Sequence, residues 1–335
     1  MASTTTTANN SNVFVIGTRR SQLAMAQAYI VRDELQQKFP DYEFKIEAMA
    51  TTGDRILDVA LSKIGEKSLF TKELELALDD GRVDFVVHSF KDLPTVLDPS
   101  MAIGAICERE SPYDALVLAE RTDKKYTLDT LPKGSVVGTS SLRRTAQIMR
   151  RRPDLEIKSV RGNIHTRLSK LDDPENGLDA LVLAAAGLIR VGLGSRINQT
   201  LNGVMLHAVS QGALGIECRA NDARVLKLLK ALDHEETHIV CMAERAMMRE
   251  LEGGCTVPIG VQTTLEGDIL KLDGLVASLD GKQIAEFKDE TKLDLSASLE
   301  AKEQVAGALG QSVAHALIKA GADVILKELN QDRKP

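Results

Sequence analysis

The chain has 335 residues, 43% of them hydrophobic and 27% charged, and 42 basic against 48 acidic side chains leave a net charge of −6. That length carries about two or three domains with ordinary cores and excludes fibrous and low-complexity architectures. The longest nearly apolar run, Leu178–Ile189, contains Asp179 and falls well short of the ~20 residues of a membrane helix, so no membrane partner is expected.

In chain order, residues 1–12 are threonine-rich, lack an apolar stretch, and read as a short disordered tail rather than a targeting leader, which suggests a cytoplasmic protein. Short β-branched runs then alternate with helical patterns. Strands are predicted at Val13–Ile16, Phe44–Met49, Asp84–His88, Ala102–Ile106, Leu116–Leu118, Ser135–Val137, Ile157–Val160 and Ala180–Leu183. Helices are predicted at Ser21–Lys38, Lys72–Asp80, Leu142–Arg151 and Ile164–Leu171. Such alternation means α/β layers with mainly parallel sheets, whose ligands sit at strand carboxyl ends and helix N-termini. Three polar segments fall there: Gly17–Ser21, His88–Asp92 and Gly138–Arg144. From about Asp233 the texture changes to a helix, Glu235–Leu251, three hairpin-like strands, Val257–Leu265, Ile269–Ser278 and Lys282–Lys288, and a long helix near Ser296–Ala320. That is an α+β unit with an antiparallel sheet.

The net charge is unevenly spread. Ser141–Lys170 holds nine basic residues against Asp154 and Glu156, a local balance of +7 that leaves −13 elsewhere. A basic island in an acidic chain should meet an anion. Nucleic acid is not expected, because no aromatic residue interleaves with these arginines. For Arg143, Arg144, Arg161 and Arg167 carboxylate or phosphate binding is the favoured reading. Arg150–Arg152, before Pro153, read equally well as a solvated helix face.

His234–His238 matches H-E-x-x-H, but with Asp233 as N-cap and Glu236 at N3 it reads as a capping box, and no metal site is expected. Gly65–Ser68 and Gly192–Gly194 are too incomplete to be phosphate loops. The four cysteines, Cys107, Cys218, Cys241 and Cys255, form no disulfide framework. Cys107 and Cys218 lie in apolar strands and read as buried. Cys255 sits between a helix and a strand behind Gly253 and Gly254, where a close approach or an exposed turn is possible; it suits covalent attachment of a group as well as nucleophilic turnover, or plain burial. Asp92 ends a strand beside Lys91, as a carboxylate that stabilises a cation or moves a proton, or as a turn cap before Pro94.

Taken together, GTRRSQ at Gly17–Gln22, TTGD at Thr51–Asp54, GEKSLFTKELE at Gly65–Glu75, His88–Pro94, GTSSLRR at Gly138–Arg144, VRGNIHTRL at Val160–Leu168, Gln211–Arg219 and Leu251–Gly260 closely resemble the porphobilinogen deaminase (hydroxymethylbilane synthase) family over about Val13 to Leu329. The resemblance implies two periplasmic-binding-protein-like α/β domains around a cleft, residues 13–110 with 212–231 and residues 111–211, followed by a smaller α+β domain, 232–335. It implies a transferase of haem and tetrapyrrole synthesis. Four porphobilinogen molecules are joined head to tail, with loss of ammonia, onto a dipyrromethane cofactor held by a thioether to Cys255; water then releases hydroxymethylbilane. It places Asp92 in catalysis, Lys91, Thr139, Ser141, Arg143 and Arg144 on cofactor carboxylates, and Arg19, Ser21, Gln27, Arg161, Arg167 and Arg190 on the substrate and growing chain. A monomer without a metal is implied. Ile56–Leu69 is expected to form a lid over the cleft. Ser210 stands where the family usually has glycine, so a strained, positive φ is expected there if that is the glycine's role. The rival reading is a non-catalytic two-lobed binding protein for small anions.

Overall fold

The computed structural model describes residues 12–51, 71–251 and 257–331. The expected lid, Ile56–Leu69, and Cys255 lie outside the described residues.

The first sheet joins β1 (Val13–Arg19), β2 (Glu43–Met49), β3 (Phe85–Ser89), β4 (Met101–Ile106) and β10 (Leu214–Arg219) in the order β2-β1-β3-β10-β4. Here β1 runs parallel to β2 and β3, while β10 is antiparallel to both β3 and β4. One face packs Phe85, Val87 and Ile216 against Val31 and Leu35 of α1 (Gln22–Lys38). On the other, Val86 meets Leu74 and Leu78 of α2 (Lys72–Asp79).

The second sheet repeats the plan. Its strands are β5 (Asp114–Leu118), β6 (Val136–Gly138), β7 (Glu156–Lys158), β8 (Ala180–Ala184) and β9 (Gln199–Thr200), ordered β7-β6-β8-β5-β9. Again a parallel trio adjoins an antiparallel strand, β5. Every residue of β5 is buried, with Leu116 and Leu118 on one face and Ala115 and Val117 on the other, as befits a strand covered on both sides. Its helices are α3 (Leu142–Arg151), α4 (Ile164–Asp172) and α5 (Ala185–Arg190). The sheets are therefore mixed rather than mainly parallel. The cause is that each receives a strand reached through a long-range connection: the chain crosses to the second sheet after Ile106 and returns before Leu214. The two crossings are hydrogen-bonded, Cys107 N to Leu214 O at 3.0 Å and Glu110 N to Gly212 O at 3.3 Å.

After α6 (Ala223–Leu229) comes α7 (Glu235–Glu250), then the antiparallel sheet β11 (Ile259–Glu266), β12 (Ile269–Ala277) and β13 (Ile284–Lys292), then α8 (Leu299–Lys319) and α9 (Ala322–Gln331). Met247, Leu272, Val276, Val313 and Leu317 form the centre of this core. Gly310 lets α8 approach α7, since a Cβ there would overlap the carbonyl oxygen of Ala243. The α7 N-cap is His234 rather than the expected Asp233: its side chain accepts from Thr237 N, while Asp233 is bonded to His238 Nδ1 at 2.9 Å. No cluster of metal-ligating side chains occurs among the described residues.

Candidate active site

In the first sheet the strand order reverses at β1/β3, the place where open α/β sheets bind ligands. Here β1 delivers Arg19, and Ser21 caps α1 by accepting from Ala24 N at 3.4 Å. Gln27, buried one turn further on, donates to Ser89 Oγ at 2.8 Å. With His88 and Asp92 these residues line an open cavity of about 430 Å³.

Asp92 ends a single 3-10 turn, Phe90–Asp92. That turn is braced from α7. The buried guanidinium of Arg245 stacks 4.3 Å from the Phe90 ring and donates to the carbonyls of Leu93, at 3.0 Å, and Pro94. A Cβ on Gly215 would strike the same ring, so glycine is what admits Phe90 against β10.

Asp92 also lines a second cavity, of about 650 Å³, with Lys91, Ser141, Arg143, Arg144, Gln211, Met248, Val257 and Ile259. Ser141 caps α3 and places both arginines in its first turn. Both are buried, and they share one carboxylate. Arg143 Nη1 lies 2.6 Å from Asp114 Oδ2, and Arg144 Nη2 lies 2.8 Å from Oδ1. Burial opposes charge on Asp114, but the two guanidiniums overcome it and hold the carboxyl well below the usual range. Gln211 bridges the sheets, donating to Asp114 Oδ1 at 2.9 Å while its Oε1 accepts from Lys91 Nζ at 3.3 Å. Burial lowers Lys91 to about 8, with Asp92 opposing the shift.

Of the other expected site residues, Arg167 joins the cluster electrostatically. Burial and the charges of Arg144 and Arg161 push its guanidinium down to about 10, and Asp92 partly offsets them. Thr139 is buried one step back, its hydroxyl accepting from Ser141 N at 3.2 Å. Arg190 lines neither cavity; its Nη2 donates to Gly212 O at 2.7 Å beside the crossings. Arg150 and Arg151 pair with Glu286 and Asp129 on a solvated, ion-paired face, while Arg152, largely buried, pairs with Asp154 and donates to the carbonyls of Leu128 and Leu131. Cys107, Cys218 and Cys241 are buried, and burial pushes their thiols up to about 12, 11 and 12. Cys255 lies outside the described residues, but Met248 before it and Val257 and Ile259 after it line the second cavity.

The sequence reading missed Asp114, Gln211 as a bridge, and Arg245. It also missed Glu244 of α7, whose carboxylate binds Arg109 Nη1 at 2.8 Å and the backbone nitrogen of Ser210 at 2.6 Å. Ser210 has φ 59°, the one non-glycine positive φ among the described residues, so the strain expected there is present.

Comparison with known proteins agrees with this geometry. Residues 14–227 match the family described as porphobilinogen deaminase, dipyromethane cofactor binding domain, and residues 238–319 match porphobilinogen deaminase, C-terminal domain. The chain is 52% identical over 327 residues to the porphobilinogen deaminase of Synechococcus elongatus, covering 96% of each chain. It is 54% identical over 321 residues to that of a second Synechococcus strain, covering 96% of this chain and 97% of the relative. With the Nostoc enzyme identity is 52% over 315 residues and 94% of each chain. Among solved structures, the methionine binding protein MetQ aligns with a TM-score of 0.42 at 14% identity, over 68% of this chain and 92% of that one, a likeness too loose to bear on function. The chain belongs to the porphobilinogen deaminase family.

Proposed function

We propose that the first cavity receives porphobilinogen, that the second holds the dipyrromethane cofactor tethered to Cys255, and that Asp92 acts where they meet. The observation that carries this reading is that Asp92 lines both cavities. The second cavity fits the cofactor chemically. Lys91, Arg143, Arg144 and Ser141 supply cationic and hydroxyl donors for ring acetates and propionates, and apolar Met248, Val257 and Ile259 supply surface for the rings. When bound, the cofactor supplies a nucleophilic pyrrole α-carbon and an anchored end for the growing chain.

The protein's own groups do the rest. Arg19 binds substrate carboxylate, while Ser21 and Gln27 orient the ring by hydrogen bonds. Asp92 stabilises the positive charge that develops on porphobilinogen as ammonia leaves, and accepts the α-carbon proton whose loss after bond formation restores aromaticity. Arg161 and Arg167 hold carboxylates of the lengthening chain, and Arg190, at the crossings, serves the same chain. Thr139 acts by fixing Ser141.

We further divide the chain into residues 13–110 with 212–231, 111–211, and 232–335; the return of β10 to the first sheet supports that partition. We also propose a cytoplasmic monomer with no nucleic-acid or membrane partner, which sedimentation of the purified chain would test for its monomeric part.

Intact mass tests the central reading. Wild-type protein should be heavier than its polypeptide by two pyrrole units, and Cys255→Ser should have the bare mass and no activity. A wild-type protein at bare mass, inactive on porphobilinogen, would overturn it.

A further inference from the structure

The first cavity contains a histidine to which the reading above gives no task. His88 lies on β3, and Glu217 lies on β10, where it pairs in register with Val86. Side chains two apart on a strand share a face, so His88 and Glu217 are diagonal neighbours on one side of the sheet. Their contact is close: Nε2 to Oε2 is 2.9 Å, with both side chains almost wholly buried, 5% and 1% exposed.

Two features set this pair apart from an ordinary buried tie. Glu217 Oε1 is buried with no hydrogen-bond partner among the described residues. An orphaned carboxylate oxygen costs about 1–3 kcal/mol, and sheet pairing between β3 and β10 does not need it. In addition, Glu217 uses only one nitrogen of the ring. Among the described residues Nδ1 makes no hydrogen bond, and His88 lines the cavity beside Asp92, Arg19 and Gln27. A carboxylate on one imidazole nitrogen fixes the tautomer: Glu217 takes Nε2–H, and Nδ1 keeps its lone pair.

We propose that His88 is a substrate-contacting catalytic residue, oriented by Glu217, whose Nδ1 accepts a hydrogen bond from the pyrrole N–H of the incoming porphobilinogen. This rests on the first cavity being the porphobilinogen site. As the carbon–nitrogen bond to the departing ammonia breaks, its electron pair leaves with ammonia and positive charge spreads to the pyrrole nitrogen. The N–H becomes more acidic, and its bond to Nδ1 strengthens while the proton stays on the pyrrole. The contact is therefore worth more in the transition state than in the ground state. The Glu217 carboxylate behind the ring fixes its orientation and leaves the Nδ1 lone pair free to accept.

Glu217 is in direct contact with the imidazole, so removing its carboxylate withdraws the group that orients the ring.

The experiment compares the rates of the first ring addition in cofactor-loaded wild type, Glu217→Gln, His88→Asn and His88→Gln, each checked by intact mass and thermal melting. Asparagine places an oxygen near the Nδ1 position, and glutamine reaches toward Glu217 without it. His88→Gln should slow ring addition by about 10-fold to 100-fold. His88→Asn should retain more of the rate than His88→Gln, because it keeps an acceptor near the Nδ1 position, and Glu217→Gln should slow the addition with the fold intact. Carbethoxylation of His88 in the loaded wild type, read by peptide mass, should be slowed by porphobilinogen. Wild-type rate in loaded Glu217→Gln together with a rate in His88→Asn no higher than in His88→Gln would overturn the proposal, as would loaded, folded His88→Gln at the wild-type rate. If His88→Gln fails to fold, the other two variants decide. Failure of the cofactor reading would look different, because wild type itself would then have the bare polypeptide mass.

Discussion

The two cavities that meet at Asp92 are built on opposite plans. In the second, the cationic groups are fixed before any ligand arrives: Arg143 and Arg144 share Asp114, and Gln211 ties that carboxylate to Lys91 in the other lobe. In the first, the polar side chains hang from strand ends and one helix turn, with the Gln27–Ser89 bond and the His88–Glu217 pair among their ties. The difference suits a group that stays and a substrate that turns over. A resident anion gains from cations whose geometry is set by neighbours, whereas a transient one must enter and leave. The shared Asp114 charge also limits how strongly the arginines attract a ligand, since part of their charge is already answered.

The largest expected effect falls on the point common to both plans. Asp92→Asn should lower turnover by about 1,000-fold or more while the cofactor still loads, as intact mass would show; substantial residual turnover would remove Asp92 from both cavities' chemistry. Asp114→Asn attacks the preset cavity alone. It leaves two buried guanidiniums without their counter-charge and should destabilise the fold by about 3–5 kcal/mol in denaturant titration. The Asp114 carboxyl is held below its ordinary 3.8, so its contribution is present above that value and is lost as pH falls through the lower, folded one. The gap between wild type and Asp114→Asn should thus stay level from neutral pH down to about pH 5 and close only in stronger acid. Arg167→Gln should slow elongation by about 10-fold and lead partly elongated chains to accumulate on the protein, visible as mass increments of one ring. The smallest effect is expected at Ser210, which itself lines neither cavity. Ser210→Gly removes a side chain from left-handed backbone and should stabilise the protein by about 0.5–1 kcal/mol, with turnover little changed.

Much of the site was legible because its residues cluster at strand ends, where local pattern and chemistry coincide. Gly17–Ser21, His88–Asp92 and Gly138–Arg144 each follow an apolar strand, and each reaches a cavity or stands one residue behind it. Asp114 was not legible. It opens an apolar strand and resembles a turn residue, and its partners follow 29 and 30 residues later. Arg245 was hidden similarly, on α7, more than 150 residues from the carbonyls it braces. The basic island misled in part, because net charge counts Arg150 and Arg151 without their remote partners, Glu286 and Asp129. The mixed sheets were not foreseen because strand direction depends on which lobe a segment joins, and local periodicity is blind to that. The resemblance supplied what neither periodicity nor charge could: a named candidate for the anion.

The doubled crossing between the lobes has a mechanical consequence. Two segments hydrogen-bonded edge to edge behave as a flat ribbon, which bends easily across its thin direction but resists shear within its plane. Lobes joined by one strand could swivel freely. Lobes joined by this ribbon, with Arg190 and Arg109 gripping the carbonyls of Gly212 and Gln211, are steered toward a single bending coordinate. A change in the angle between the lobes would then follow one path.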